Sequence, residues 1–391
     1  MIDMTTIKTS GSSRVSEPFN TTALNGLLQE AIESGIPGLS VAVANSESLL
    51  WTGTAGQANL SAGAPVQTDH LFGIGSITKT FVAVIILQLV EEERLSLDKT
   101  AVELLGADVA GAVPNAALAT IAQLLNHTGG IPSWEDDSLW IQEGRGAQQD
   151  VEALWAPEQT LSYIENTPPM NAPGEKYAYA NTNHTLLGLV IEKVTGTDLV
   201  VQIRQRILQP LGLSDIYLEG FQTLPSERLA KRYHYNTPEF IRDAGVHSSF
   251  PKVRDDLIDV STSNLSVEWA AGGMVATAAD LARYAAAFRA GKLLNAASMA
   301  FVQDWFPVSD SDGFEVGHGI FRIRTKAGFS LLGHMGAVLG YTASMQWFED
   351  QDLAMVVLAN VGTMHVGQPL PNAANVACQE AFLTLFGAVC A

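Results

Sequence analysis

The stretch Phe72-Gly73-Ile74-Gly75-Ser76-Ile77-Thr78-Lys79-Thr80-Phe81-Val82-Ala83-Val84-Ile85-Ile86-Leu87-Gln88-Leu89-Val90 decides how the rest of the chain is read. A glycine-rich turn runs into an apolar segment that Glu91, Glu92 and Glu93 close. This pattern predicts a strongly apolar helix opening at Ser76 and running to about Glu93. Residues three apart share a helix face, so the Lys79 amine can approach the Ser76 hydroxyl. A helix start also offers free backbone N–H groups and the positive end of a dipole, which suit a developing oxyanion. The plain alternative is Ser76 as an ordinary N-cap. Two other S-x-x-K matches exist, Ser96-Leu97-Asp98-Lys99 and Ser249-Phe250-Pro251-Lys252. The first falls in the turn after this helix and the second in a proline-containing loop.

Around that stretch lie 391 residues, 47% apolar and 16% charged, which excludes a disordered or fibrous chain. Such a length spans two to three nominal domains of ~150 residues and needs no disulfide or metal to hold a core. Acids outnumber bases 41 to 22, a net charge of −19 that opposes binding to phosphate backbones, so no nucleic-acid partner is expected. Cys378 and Cys390 read as packing thiols on a terminal helix. The segment Met1–Lys8 lacks the apolar stretch of a secretory signal, and the run Phe81–Val90 is shorter than the ~20 residues of a membrane span. The expectation is a cytoplasmic protein with no membrane partner.

Residues 1–18 read as a loose N-terminal arm. A helix is predicted over Thr22–Ser34, then an antiparallel pair over Leu39–Val43 and Leu49–Thr54. Helical patches follow at Ile121–Leu125, Leu186–Val194, Leu199–Ile207 and Ala278–Ala290. Strands return at Gly319–Arg324, Phe329–Leu332, Tyr341–Phe348 and Leu353–Leu358, and a last helix covers Ala374–Leu385. The fold class is therefore α/β plus α: an antiparallel sheet built from both chain ends and flanked by helices, with an inserted, mostly helical domain. The boundaries are 19–97 with 270–391 for the sheet domain and 98–269 for the insertion. The long stretches Ser133–Asp150 and Tyr233–Ser266 are candidates to wall a site.

A serine activated by lysine needs a second proton-handling group and a donor along the wall. Tyr179-Ala180-Asn181 is the single Y-x-N of the chain, after a Pro173-Gly174 turn and before the helix at Leu186. For the wall, His127-Thr128-Gly129 reads as a helix stop and Lys326-Ala327-Gly328 as a hairpin turn. His365-Val366-Gly367 falls in a loop. That leaves His334-Met335-Gly336 at a strand end, where Gly336 would let substrate approach the backbone.

Together, Ser76-Ile77-Thr78-Lys79, Tyr179-Ala180-Asn181 and His334-Met335-Gly336 resemble the three motifs of penicillin-recognising serine hydrolases. The match is best to the branch of class C β-lactamases, DD-carboxypeptidases, D-amino-acid amidases and related esterases. Supporting stretches are Gln123–Pro132, Pro173–Asn183, Ala271–Ala282 and Gly333–Gly336. The resemblance implies an active site in the cleft between the two domains. It implies Ser76 as the acylated nucleophile, Lys79 as its proton partner, Tyr179 as the proton shuttle and Asn181 as the group that orients Lys79 and the substrate amide. It places His334 in support of Tyr179, and the backbone N–H groups of Ser76 and Ala337 in the oxyanion hole. Which of Lys79 and Tyr179 takes the first proton stays open at this point.

Members that grip a substrate carboxylate carry Thr or Ser where this chain has Met335, whose thioether donates nothing. The expected activity is thus cleavage of amide or peptide bonds in small, D-amino-acid-derived substrates, with carboxylesterase or β-lactamase activity at the same site as the alternative. Expected partners are a small-molecule or short-peptide substrate, and β-lactams as covalent ligands. Arg322 and Arg324 read as surface charges, and Trp134 and Trp140 as packing groups or as walls for an acyl chain. The eight histidines form no H-E-x-x-H pairing, so neither a metal nor another cofactor is expected. The run Gly73–Thr80 is one residue from a phosphate loop, with Thr78 where the second glycine belongs, which makes nucleotide binding a distant alternative. A catalytically dead binding protein is the other.

Overall fold

The computed structural model describes residues 21–308, 313–324 and 328–367. The predicted N-terminal arm, the Lys326-Ala327 turn, the last helix and both cysteines lie outside the described residues.

In Gly38–Ala44, Leu39, Val41 and Val43 alternate with Ser40, Ala42 and Ala44, and every residue is buried. A strand of this kind must be covered on both faces. Leu39, Val41 and Val43 pack with Met355, Val357 and the Leu24, Leu28 and Ala31 side chains of the helix Thr21–Glu33. Ala42 and Ala44 belong to the core that holds Met345, Trp347, Val356 and Leu358, together with the helices Thr78–Glu91 and Ala278–Arg289.

Among the described residues the main sheet has nine strands. Their order is Phe306–Pro307, Phe314–Val316, Phe321–Arg324, Ser330–Val338, Tyr341–Phe348, Ala354–Ala359, Gly38–Ala44, Leu49–Asn59 and Ala64–Pro65. Leu39 pairs with Ala359 on one side and Ala55 on the other, so strands from the two ends of the chain are neighbours, all antiparallel. Pairing of Phe321–Arg324 stops at Gly333, whereas the next strand runs on to Val338. His334 therefore lies inside a strand, not at its end.

Two smaller sheets were not legible, because three-residue strands carry no alternation to read. Tyr233–Tyr235, Leu257–Asp259 and Lys252–Arg254 form one with Val361–Gly362. The stretch expected as a long loop from Tyr233 to Ser266 thus carries three short strands and the helix Pro238–Asp243. Likewise, Ser133–Asp150 carries the helix Ser138–Arg145, capped by the Asp137 side chain. The other small sheet joins Phe72–Gly73 to Met274–Ala276 and Ile216–Leu218, all antiparallel. It fixes the approach to Ser76: Ile74 N–H donates to the Met274 carbonyl at 2.9 Å. An antiparallel strand before the helix is not the parallel strand–loop–helix unit that a phosphate loop needs.

Candidate active site

Gly75 has φ +52, and Ser76 sits in the one-turn 3-10 helix Gly75–Ile77. The α-helix proper starts at Thr78, two residues later than the sequence predicts, and the Ser76 side chain caps nothing. Its hydroxyl is instead aimed at Lys79 and Tyr179. Lys79 Nζ lies 2.9 Å from Ser76 Oγ, 2.6 Å from Asn181 Oδ1 and 2.6 Å from the Ala271 carbonyl. The Tyr179 hydroxyl donates to Ser76 Oγ at 2.7 Å. Asn181 is the first residue of the helix Asn181–Thr195, so helix geometry fixes it, while Tyr179 precedes that helix, next to the extended Ala180.

Lys79 is fully buried, and loss of hydration brings its amine down to about 7; the carboxylates of Glu135 and Glu268 pull it up and Arg145 pushes it down. Tyr179 moves the other way. Burial and the nearby Glu135 hold its phenol well above its ordinary range, against the effect of its hydrogen bond to Ser76. A neutral amine has two N–H donors and one lone pair. With Asn181 Oδ1 and the Ala271 carbonyl taking the donors, the lone pair is left facing Ser76 Oγ.

The strand Ser330–Val338 closes the other side. A Cβ on Gly336 would lie 1.9 Å from the Ile74 carbonyl oxygen and 3.1 Å from Ser76 N, and one on Gly75 would lie 2.7 Å from Ala337 N. The two backbones pack directly against each other at Gly75–Ser76 and Gly336–Ala337. His334 shares the Gly336 face of the pleat, while Met335 and Ala337 fall on the other and are half-exposed. His334 Nδ1 meets the Met335 carbonyl at 2.5 Å and its ring packs on Phe321 with centroids 4.3 Å apart. Tyr179 has His127 as its closer ring neighbour and Phe321 at 6.4 Å. Burial and the charge of Lys79 bring His334 down to about 3, so it is neutral at pH 7.

The structure places the remaining sequence candidates in other contacts. Lys99 pairs with Glu103 at 2.9 Å, and Ser249 bonds to His247 and Thr262, so neither decoy S-x-x-K forms a serine–lysine pair. Trp134 and Trp140 are fully buried against each other, with centroids 4.5 Å apart, and do not wall a site. Arg322 is bound to Glu315 and lies 4.6 Å over the Trp305 ring, and Arg324 also bonds Glu315. No group of histidines, cysteines and acids suited to a metal occurs among the described residues.

Two sets of residues were missed. His127, read as a helix stop, stacks on Tyr179; its place inside the Gln123–Pro132 stretch was the available signal. The buried Arg145 donates to Glu268 at 2.7 Å, to Glu135 at 3.3 Å and to His365 Nε2 at 3.0 Å. Glu268 lies just ahead of the Ala271–Ala282 stretch, but nothing local ties it to Arg145.

A family profile described as Beta-lactamase matches residues 24–376. The chain belongs to the Beta-lactamase family. That family and the similar proteins found are serine hydrolases, and so is this chain. It is 28% identical to the esterase EstB of Burkholderia gladioli over 374 residues, covering 89% of this chain and 92% of that one. A D-stereospecific amidohydrolase from Streptomyces sp. superposes with a TM-score of 0.75 at 28% identity, covering 87% of this chain and 94% of that one. The D-amino acid amidase of Ochrobactrum anthropi SV3 superposes with a TM-score of 0.81 at 25% identity, covering 94% and 99%. Among the described residues of this Beta-lactamase family member, no helix is long and apolar enough to cross a membrane.

Proposed function

We propose that this protein is a serine amidase or peptidase that forms an acyl-enzyme on Ser76 and cleaves small substrates derived from D-amino acids. The observation that carries the reading is the placement of Ser76 Oγ between the Lys79 amine at 2.9 Å and the Tyr179 hydroxyl at 2.7 Å. Lys79, whose amine burial brings down to about 7, takes the Ser76 proton as Oγ bonds to the substrate carbonyl carbon. The carbonyl oxygen becomes an oxyanion held by the Ser76 and Ala337 amides. Tyr179, kept protonated by burial, gives its proton to the leaving nitrogen as the C–N bond breaks, and recovers one from Lys79. Water then attacks the acyl carbon and gives a proton to Lys79, which returns it to Ser76 Oγ as the C–Oγ bond breaks and the carboxylic acid leaves.

An amine leaves only when protonated, so a phenol kept in its acid form favours amides. The third motif adds no positive charge at neutral pH because His334 is uncharged, and Arg322 and Arg324 are held by Glu315. This supports a neutral group at the reacting end rather than a free carboxylate. The similarity to the D-stereospecific amidohydrolase and the D-amino acid amidase supports D-configured substrates. The second reading, a carboxylesterase at the same site, draws on the similarity to EstB over 89% of this chain.

The test is intact-mass analysis after exposure to a fluorophosphonate or a slow-turnover β-lactam, followed by peptide mapping. An adduct on Ser76 is the expected result; an adduct elsewhere, or none, overturns the reading. A panel of D-alanine amide, a chromogenic short-chain ester and a chromogenic cephalosporin then separates amidase from esterase and β-lactamase.

A further inference from the structure

We infer that His127 is a positioning residue for the reaction, acting through Tyr179 by fixing where the phenol proton points. The inference rests on the Ser76–Tyr179 reading above. His127 follows the helix Ile121–Leu125, which Thr120 and Gln123 cap reciprocally, and it turns the chain with φ +57. Left-handed backbone is uncommon for a residue with a Cβ, and such conformations persist where surrounding contacts over-determine them. Here the contacts converge on one segment. The His127 carbonyl accepts the Ala178 N–H at 2.9 Å. Its Nδ1 accepts the Ala180 N–H at 3.2 Å and meets Asn183 Nδ2 at 3.1 Å. Its ring stacks on that of Tyr179, with centroids 4.4 Å apart and planes 28° from parallel.

Tyr179 is thereby bracketed: the residues before and after it are tied to the backbone and ring of His127, and its own ring lies on that same imidazole. The Ala180 N–H can only donate, so Nδ1 must accept and the imidazole proton sits on Nε2. With its one lone pair shared by two donors, Nδ1 is not free to act as a base toward substrate. The ring is also neutral. It is 2% exposed, burial and the charge of Lys79 lower its basicity well below the ordinary range, and its neighbour at 5.2 Å is the buried His184. A clamp of this kind orients a phenol without adding charge beside it.

The experiment compares the full chain with His127→Asn, which keeps an acceptor near the Nδ1 position and removes the ring, and His127→Phe, which keeps a ring and removes the acceptor. Asn183→Ala loosens the clamp without touching His127. Each is assayed on an amide and on a p-nitrophenyl ester of the same acid, whose nitrophenolate leaves without a proton. For a group that orients the general acid, kcat on the amide should drop roughly 10- to 10²-fold with KM nearly unchanged, and the ester should lose at least ~10-fold less. Tyr179→Phe should give the same selectivity at larger size. Equal losses on both substrates, a rise in KM alone, or no loss in any folded variant overturns the inference. Failure of Ser76 to label in the wild-type protein overturns the proposed function instead, and a Tyr179→Phe variant without selectivity overturns the role given to Tyr179.

Discussion

Lys79 Nζ lies 2.6 Å from the carbonyl oxygen of Ala271, which belongs to the short turn Trp269–Gly272 that starts after Glu268. The Glu268 side chain, 3% exposed, holds the fully buried guanidinium of Arg145 at 2.7 Å. One ion pair therefore anchors the turn that supplies an acceptor to the central amine, and its carboxylate also acts on the charge of that amine.

Glu268→Gln should separate these effects. Removing one partner of a buried pair leaves the other undercompensated, so unfolding stability should fall by roughly 3 kcal/mol, read by chemical denaturation. Glu268 pulls the Lys79 pKa up, so neutralising it should move the acid limb of kcat/KM to lower pH. A limb that stays put would remove Glu268 from the electrostatics of Lys79.

The pH dependence of the wild-type protein follows from the hydrogen bonds of Lys79. Charged, the amine has three hydrogens for three acceptors and no lone pair; neutral, it has the pair that faces Ser76. Its pKa is lowered by burial to about 7, so the active form is present above that pH and is lost as pH falls through it. kcat/KM should drop about tenfold per unit below this limb. Asn181→Asp places a carboxylate where Asn181 Oδ1 lies 2.6 Å from the amine, which favours the charged form. The limb should then move up by about 1–3 units. A limb unmoved by this change would mean that another group takes the Ser76 proton.

The three motifs were legible because each is local. Ser76 and Lys79 are one helical turn apart and Tyr179 and Asn181 only two residues apart, although the helix that Asn181 opens was expected only from Leu186. The sheet from both chain ends was legible from alternation in Gly38–Ala44 and in Tyr341–Phe348. What stayed hidden depends on contacts between distant residues. Arg145 and Glu268 meet across 123 positions and His127 and Asn183 across 56, and no periodicity records such meetings. The start of the Ser76 helix was read two residues early because the 3-10 turn Gly75–Ile77 has the same composition as a first α-turn.

Ser76→Ala should abolish turnover of amide and ester alike and eliminate labelling by a fluorophosphonate. The side chain is half-exposed and caps no helix, so the melting temperature should stay within about 2 °C, the range of a change of under ~0.5 kcal/mol. Retained turnover above a few per cent would show that the attacking oxygen belongs to another residue or to water.

Gly336→Ala tests the oxyanion site without removing a polar group. Gly336 is not in a left-handed conformation, so the obstacle is purely spatial: a Cβ there would meet the Ile74 carbonyl oxygen at 1.9 Å and Ser76 N at 3.1 Å. Both are backbone atoms held by the small antiparallel sheet that pairs Phe72–Gly73 with Met274–Ala276, so neither can swing aside as a flexible side chain would. The strand must retreat, and the Ala337 amide retreats with it. Losing one oxyanion donor costs about 10²–10³ in kcat, and a loss of that order is the expected result. The displaced strand leaves Lys79 with its hydrogen bonds to Asn181 and Ala271, so the acid limb should keep its position while the plateau falls. A normal plateau in a folded variant would place the oxyanion elsewhere than between the Ser76 and Ala337 amides.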